Sequence, residues 1–202
     1  IDEIEGFAAD VSHELKNPLA SLKSSNELLL ENNIAHEKKS LLLKNMQKDI
    51  ERMNTLITDI SSYTLTQVEI NDELFYKFDI IEFLEEFLQS YSSNSKDIKI
   101  NFKFEKKPSM IHATKDKLAQ VLINLIDNSL SYSPYKSKIL IEQRVTKRNV
   151  VILVSDQGSG ISEELSSKIF ERFYKDRPSN DDKHTGLGLS IAKKIIESFS
   201  GT

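Results

Sequence analysis

"VVILVSDQGSG", residues 150–160, is the stretch on which the fold turns. Five aliphatic residues run without a break, which is the pattern of a buried strand. Ser155 and Asp156 end the run, and Gly158 and Gly160 follow. A carboxylate at a strand end can accept the exocyclic amine of adenine, which guanine lacks at that position, and glycines let backbone come close to a base. An aspartate in a turn after a strand is also common for purely structural reasons, so the stretch needs company.

Working outward, "KILIEQRV" just upstream predicts a second strand that pairs with it as a hairpin. Upstream again, "DKLAQVLINLIDNSLSY" reads as a helix on which Asn124 and Asn128 are one turn apart, opposite the apolar set Leu122, Ile123 and Ile126. Two carboxamides on one helix face suit phosphate oxygens and a hard Mg²⁺ ion, and equally a structural role. Downstream, "HTGLGLSIAKKII" places Gly186, Leu187 and Gly188 at the opening of a last helix, where backbone N–H groups and the helix dipole can face phosphates. No P-loop pattern occurs, and the third glycine of the dinucleotide fingerprint is replaced by Glu163 in one case and Ile191 in the other.

The rest of this region alternates. "FDIIEFLEEFLQSY" is an amphipathic helix with Asp79 and Glu82 at capping-box spacing. "IKINFKFE" is a half-buried strand with Ile98, Ile100, Phe102 and Phe104 on one side, "MIHA" is a short strand, and "EELSSKIFERF" is helical. Together they predict an α+β layer of mixed sheet against helices. "YKDRPSNDDKHT" is a polar loop.

The first third has a different period. Ile4, Phe7, Val11, Leu15, Leu22 and Leu29 form one stripe at helical spacing over residues 2–32. A second helix, 37–68, carries Leu43, Met46, Ile50, Met53, Ile57, Ile60 and Thr64. Joined by a short turn, the two predict an antiparallel hairpin. Each stripe is wider than one partner covers, so pairing of two copies into a four-helix bundle completes it. The boundary with the α+β region falls near 69–75, giving domains 1–70 and 75–202.

Within the first helix, "DVSHELKNPLASL" puts polar chemistry on the wet side. His13 projects away from the apolar stripe, Asn17 is one turn on, and Glu14 is at the flank. An imidazole with a carboxylate beside it can lose a proton and act as a nucleophile. Pro18 removes a backbone hydrogen bond and is expected to bend the helix. A solvated face with an incidental histidine fits this segment alone as well.

Composition narrows the classes. The 202 residues carry a net charge of −4, which gives no nucleic-acid footprint. Cysteine is absent, excluding disulfides, thiolate metal sites and cysteine nucleophiles, and the four histidines are scattered. No apolar run approaches a bilayer-spanning length and no signal peptide is visible. The chain starts at Ile1 and is read as a fragment, which leaves an upstream membrane segment open.

In this order the motifs resemble those of the bacterial two-component sensor histidine kinases, over nearly the whole chain. "FAADVSHELKNPL" is similar to the family's H box, "QVLINLIDNSLSYS" to its N box, "DQGSGI" to G1, "IFERFYKD" to the F box and "GLGL" to G2, preceded by the ATP lid. "FYKDRP" bears a faint similarity to the ChvG/ExoS branch. The resemblance implies His13 as phosphoacceptor, Glu14 as proton acceptor and Asn17 as the position linked to phosphatase activity. It implies Asn124 and Asn128 as ligands of phosphate and Mg²⁺ (the metal on Asn128), and Asp156 as the adenine ligand. Gly158, Gly160, Lys175, Gly186, Leu187 and Gly188 complete the ATP site. Lys175 stands in the usual arginine position, and Ser131 where many members carry a basic residue.

The implied fold is an all-α hairpin forming a dimeric four-helix bundle, followed by the α/β sandwich of the gyrase, Hsp90 and MutL type (Bergerat or GHKL), with about two further strands expected past "ESFSGT". The implied partners are a second copy and the receiver domain of a response regulator. The implied location is the cytoplasmic side of a bacterial inner membrane, with the membrane reached only through an upstream segment. Two alternatives stand beside it, a GHKL-type ATPase and a non-catalytic dimerising scaffold. In the related hydrolases a glutamate that activates water occupies the place of Asn124, and a carboxamide is no base.

Overall fold

Two long helices open the chain, α1 (Asp2–Leu29) and α2 (His36–Glu69). They are followed by β1 (Tyr76–Asp79), α3 (Ile80–Ser90), β2 (Lys99–Phe104), β3 (Met110–Ala113), α4 (Lys115–Tyr132), β4 (Lys138–Val145), β5 (Val150–Ser155) and α5 (Gly188–Ser198). The computed structural model describes residues 2–31, 34–69, 75–91, 98–105, 107–175 and 184–202. Most of the polar loop before Gly186, residues 176–183, therefore lies outside the described residues, as does most of the expected 69–75 boundary. The chain divides into two compact units, residues 1–65 with 171–187, and residues 66–170 with 188–202.

In the first unit the hairpin closes along a heptad seam. On α2 the inward row is Leu42, Leu56 and Tyr63, all buried, with Met46, Asp49, Met53 and Ile60 half-buried between them. On α1, Pro18 and Ser25 are buried, flanked by half-buried Phe7, Val11, Leu15, Leu22 and Leu29. This corrects the stripe read on α2. Leu43, Ile50 and Ile57 are about half exposed and Thr64 is exposed. α2 carries two apolar rows one residue apart, and only one of them meets α1. Ser and Thr side chains along the hairpin bond back to the carbonyl four residues earlier, as Ser12 Oγ does to Ala8 O (2.8 Å) and Ser61 Oγ to Ile57 O (2.8 Å). α1 is helical through Pro18, whose missing N–H costs one rung while its ring fills the seam.

In the second unit a mixed sheet runs β2-β4-β5, with a separate pair β1-β3. β2 and β4 are parallel, which requires a crossover, and α4 lies within that crossover. β4 and β5 are the expected antiparallel hairpin, closed by Thr146 and Asn149, whose backbone N–H and carbonyl meet at 2.8 Å. Ile80, Phe83, Leu84 and Phe87 of α3 and Leu118, Leu122 and Ile126 of α4 share one core with Ile139 and Ile141 of β4. Asp79 caps α3, its carboxylate accepting from Ile81 N at 2.8 Å.

Three local expectations change. Phe102 and Ile123 lie at the surface rather than in the buried set. "EELSSKIFERF" forms turns and one 3₁₀ turn (Lys168–Phe170) instead of an α-helix. There Ser166 Oγ donates to Glu163 O (2.7 Å), a local bond that competes with helix. The last helix begins at Gly188, because Gly186 has φ +82°.

Candidate functional site

α1 presents His13 and Asn17 to solvent one turn apart. Glu14, next in sequence, turns toward the seam and is half-buried. Its Oε2 lies 3.4 Å from Arg52 Nη2 of α2 and 3.5 Å from Lys175 Nζ. Lys175 belongs to a segment that grips the same unit. Phe7 stacks on Tyr63 (ring centroids 4.7 Å apart) and on Phe173 (6.4 Å), and the Arg172 guanidinium lies over the Phe7 ring at 5.6 Å. Thr185 Oγ1 donates to Asp59 of α2. Burial pushes the Asp59 carboxyl up, against the pull of the Thr185 hydrogen bond and the His184 charge. Gly186 has no alternative here. A Cβ on it would meet Phe173 backbone at 2.7 Å, and Gly186 O accepts from Phe173 N at 3.0 Å. Leu187 is wholly buried.

The second unit builds a face on α4. Asn124, Asn128 and Tyr132 follow one another at helical spacing of four, which lines them up along one side. At the Asn124 end, its Nδ2 donates to Gly188 O of α5 at 3.0 Å. At the Tyr132 end, the loop after β5 closes in so tightly that a Cβ on Gly158 would lie 2.8 Å from Tyr132 O and 2.9 Å from Asp156 Oδ1. Asp156 itself is exposed, and its Oδ1 accepts from Gly158 N at 2.7 Å. Gly160 has φ +76° and open space around it. The two glycine segments thus border one face of α4 at opposite ends, with half-buried Asn128 between them.

That face suits a nucleotide. Among the described residues no group of three or more His, Cys, Asp or Glu could cage a metal. The available donors are the hard carboxamide oxygens of Asn124 and Asn128. This set fits Mg²⁺, which takes one or two protein oxygens and completes its shell with phosphates and water. The Gly158 cradle, which a side chain would fill, lies beside the exposed Asp156 carboxylate.

The chain matches two family models. The His Kinase A (phospho-acceptor) domain covers residues 3–65, and the histidine kinase-, DNA gyrase B- and HSP90-like ATPase covers residues 113–202. A curated relative, the sensor protein ChvG of Rhizobium meliloti, is 35% identical over the whole of this chain and 37% of its own length. The chain belongs to the sensor histidine kinases. The ChvG of Agrobacterium fabrum is 34% identical over all of this histidine kinase chain and 36% of its own, which bears out the branch that "FYKDRP" resembles. The chain thus spans little more than a third of these relatives. Among solved structures, the catalytic domain of histidine kinase ThkA is 31% identical (TM-score 0.53, 61% of this chain and 80% of that one). A crystal structure of ThkA in complex with the response regulator protein TrrA is 25% identical (TM-score 0.73, 97% of this chain and 55% of that one). The hairpin followed by an α/β ATPase domain is the architecture of this family.

Two features of this histidine kinase escaped the sequence reading. Arg52 meets Glu14 because both are about equally far from the turn of an antiparallel hairpin, a signal that was present but not used. The Asp59–Thr185 bond joins residues 126 apart and has no local signature.

Proposed function

We propose that this chain is the catalytic portion of an ATP-dependent histidine kinase that phosphorylates itself on His13 and passes the phosphoryl group to an aspartate of a response-regulator receiver domain. The functional division is 1–70 for dimerisation and phosphotransfer and 75–202 for ATP binding. The observation that carries the reading is the α4 face. Asn124 and Asn128 stand between the Gly158 and Gly188 segments, with a carboxamide where a hydrolase would need an acid. Water activation is not provided for, so the γ-phosphoryl group needs an acceptor, and His13 stands exposed on α1.

Asp156 accepts the exocyclic amine of adenine while Gly158 holds its carboxylate in place. Asn124 and Asn128 bind phosphate oxygens and the metal, with Asn128 as the metal ligand, and the backbone of Gly186–Gly188 faces the phosphates at the start of α5. Mg²⁺, when bound, neutralises phosphate charge. One ring nitrogen of His13 attacks the γ-phosphorus in line, the bond to the bridging oxygen breaks, and ADP leaves. The other ring nitrogen releases its proton to Glu14. Positioning and charge stabilisation supply most of the acceleration, because phosphoryl transfer asks little covalent chemistry of the protein. Asn17 orients water for the reverse, phosphatase activity.

The outward row Leu43, Ile50 and Ile57 supports a homodimer, since a second α2 is the complement of such a row. No described helix is long and apolar enough to cross a membrane. A cytoplasmic place beneath a bacterial inner membrane, with the membrane reached through another segment, follows from the likeness to sensor proteins.

Incubation with γ-labelled ATP and Mg²⁺, alongside His13→Gln, tests the reading. Acid-labile, alkali-stable label that disappears in the variant is the expected result. Label that survives the substitution moves the acceptor elsewhere, and phosphate release without protein label makes the chain an ATPase.

A further inference from the structure

Glu14 is the group on which proton removal from His13 depends, and it does not stand alone. Arg52 Nη2 at 3.4 Å and Lys175 Nζ at 3.5 Å both meet the same oxygen, Oε2. The three side chains retain only 22%, 21% and 27% of their exposure, so the cluster is less screened than a surface pair. Among the described residues no hydrogen bond or ion pair falls on Oε1.

The two cations differ in their attachment. Arg52 projects from α2 directly across the seam from α1, where the half-buried Met53 and fully buried Leu56 fix the helix. It therefore keeps its place beside Glu14 for as long as the hairpin is folded. Lys175 lies beyond the hairpin, in a stretch with neither helix nor strand to fix it beside Glu14. A carboxylate next to its histidine in sequence has several rotamers to choose from. An anchor on Oε2 selects one of them and leaves Oε1 for an imidazole N–H.

We infer that Arg52 is a positioning residue for phosphorylation of His13, holding the Glu14 carboxylate by one oxygen so that the other receives the imidazole proton. The inference rests on the kinase reading above and adds a residue to it.

The test compares wild type, Arg52→Ala, Arg52→Gln, Arg52→Lys, Glu14→Gln and the double variant Glu14→Gln/Arg52→Ala. Initial rates of His13 labelling are measured against ATP concentration, with binding of a fluorescent ATP analogue and thermal melting in parallel. Arg52→Ala should lower kcat about tenfold, as a mispositioned group does, and leave KM and analogue affinity unchanged. Arg52→Gln keeps the aliphatic packing without the charge and should behave the same, which covers a failure of the alanine variant to fold. Arg52→Lys should recover most of the rate. In the Glu14→Gln background the loss of Arg52 should cost nothing further, because the residue acts only through Glu14.

Unchanged kcat in both Arg52→Ala and Arg52→Gln overturns the inference while leaving the kinase reading standing. So does a tenfold loss that persists without Glu14, or a loss that Lys fails to restore. Absence of His13 label in the wild type refutes the kinase reading and the inference with it.

Discussion

Replacing Gly158 by alanine should weaken nucleotide binding while leaving both units folded. The added Cβ would lie 2.8 Å from Tyr132 O, 3.3 Å from Tyr132 C and 2.9 Å from Asp156 Oδ1. The first two are backbone atoms at the end of α4 and cannot swing away. The third is the carboxylate that Gly158 N holds at 2.7 Å. Relief therefore comes from the loop, which must lift off α4 and release Asp156. Overpacking of this kind costs about 1–3 kcal/mol. If the cost falls on the bound state, it corresponds to roughly a 5- to 150-fold weaker Kd at 1.4 kcal/mol per tenfold. Calorimetric titration with ADP and Mg²⁺ measures it. Gly160→Ala is the control, since its Cβ meets nothing within 4 Å and bears only the backbone strain of φ +76°. It should lower the melting temperature with a smaller effect on Kd. An unchanged Kd in folded Gly158→Ala, or a larger loss in Gly160→Ala, would refute the argument that close approach to Tyr132 builds the adenine side of the site.

Three other predictions concern different parts of the chain. Ile50→Lys puts a charge in the middle of the outward row of α2; losing an aliphatic anchor on each copy, at about 1.5 kcal/mol apiece, should weaken dimerisation roughly 100-fold in sedimentation equilibrium. The Tyr91 hydroxyl, which donates to Asp127 at 3.2 Å, is pushed up to about 12, by burial first and then by the Asp127 charge. Its phenolate absorbance should therefore rise only toward pH 12, and earlier in Asp127→Asn; because the folded state keeps this proton, the stability it contributes is complete below pH 10 and lost as pH climbs toward 12. Asp59 is raised by burial, so its contribution is fully present below its ordinary value of 3.8 and lost as pH rises through the folded value. Urea midpoints measured from pH 3 upward should show that loss, and Asp59→Asn should flatten it.

Much of the fold was legible because it rests on local period. The strand that ends at Asp156, the asparagine pair on α4 and the glycines before α5 each follow from spacing a few residues long. The inner face of α2 was not, and the reason is physical. Leu42 and Leu43 are adjacent, as are Leu56 and Ile57, so both rows are apolar and a helical wheel cannot say which one a neighbour covers. The turn at Ser166 failed for another reason: apolar spacing favours helix there, but a serine hydroxyl offers the Glu163 carbonyl a closer partner. The site was legible where its residues share one helix or one loop. It was not where Arg52 and Lys175 meet Glu14, because side-chain reach across a seam leaves no mark on either segment alone.

β5 has β4 on one side and, among the described residues, no strand on the other. Its five uncharged aliphatic residues, Val150–Val154, thus offer an edge on which the further strands expected past "ESFSGT" would pair. Arg148 before it and Asp156 after it are its charged gatekeepers. One of those gatekeepers, Asp156, is the residue proposed to take adenine. A strand added along β5 would lie beside the loop that carries Asp156, so pairing at that edge and nucleotide binding would steady one another.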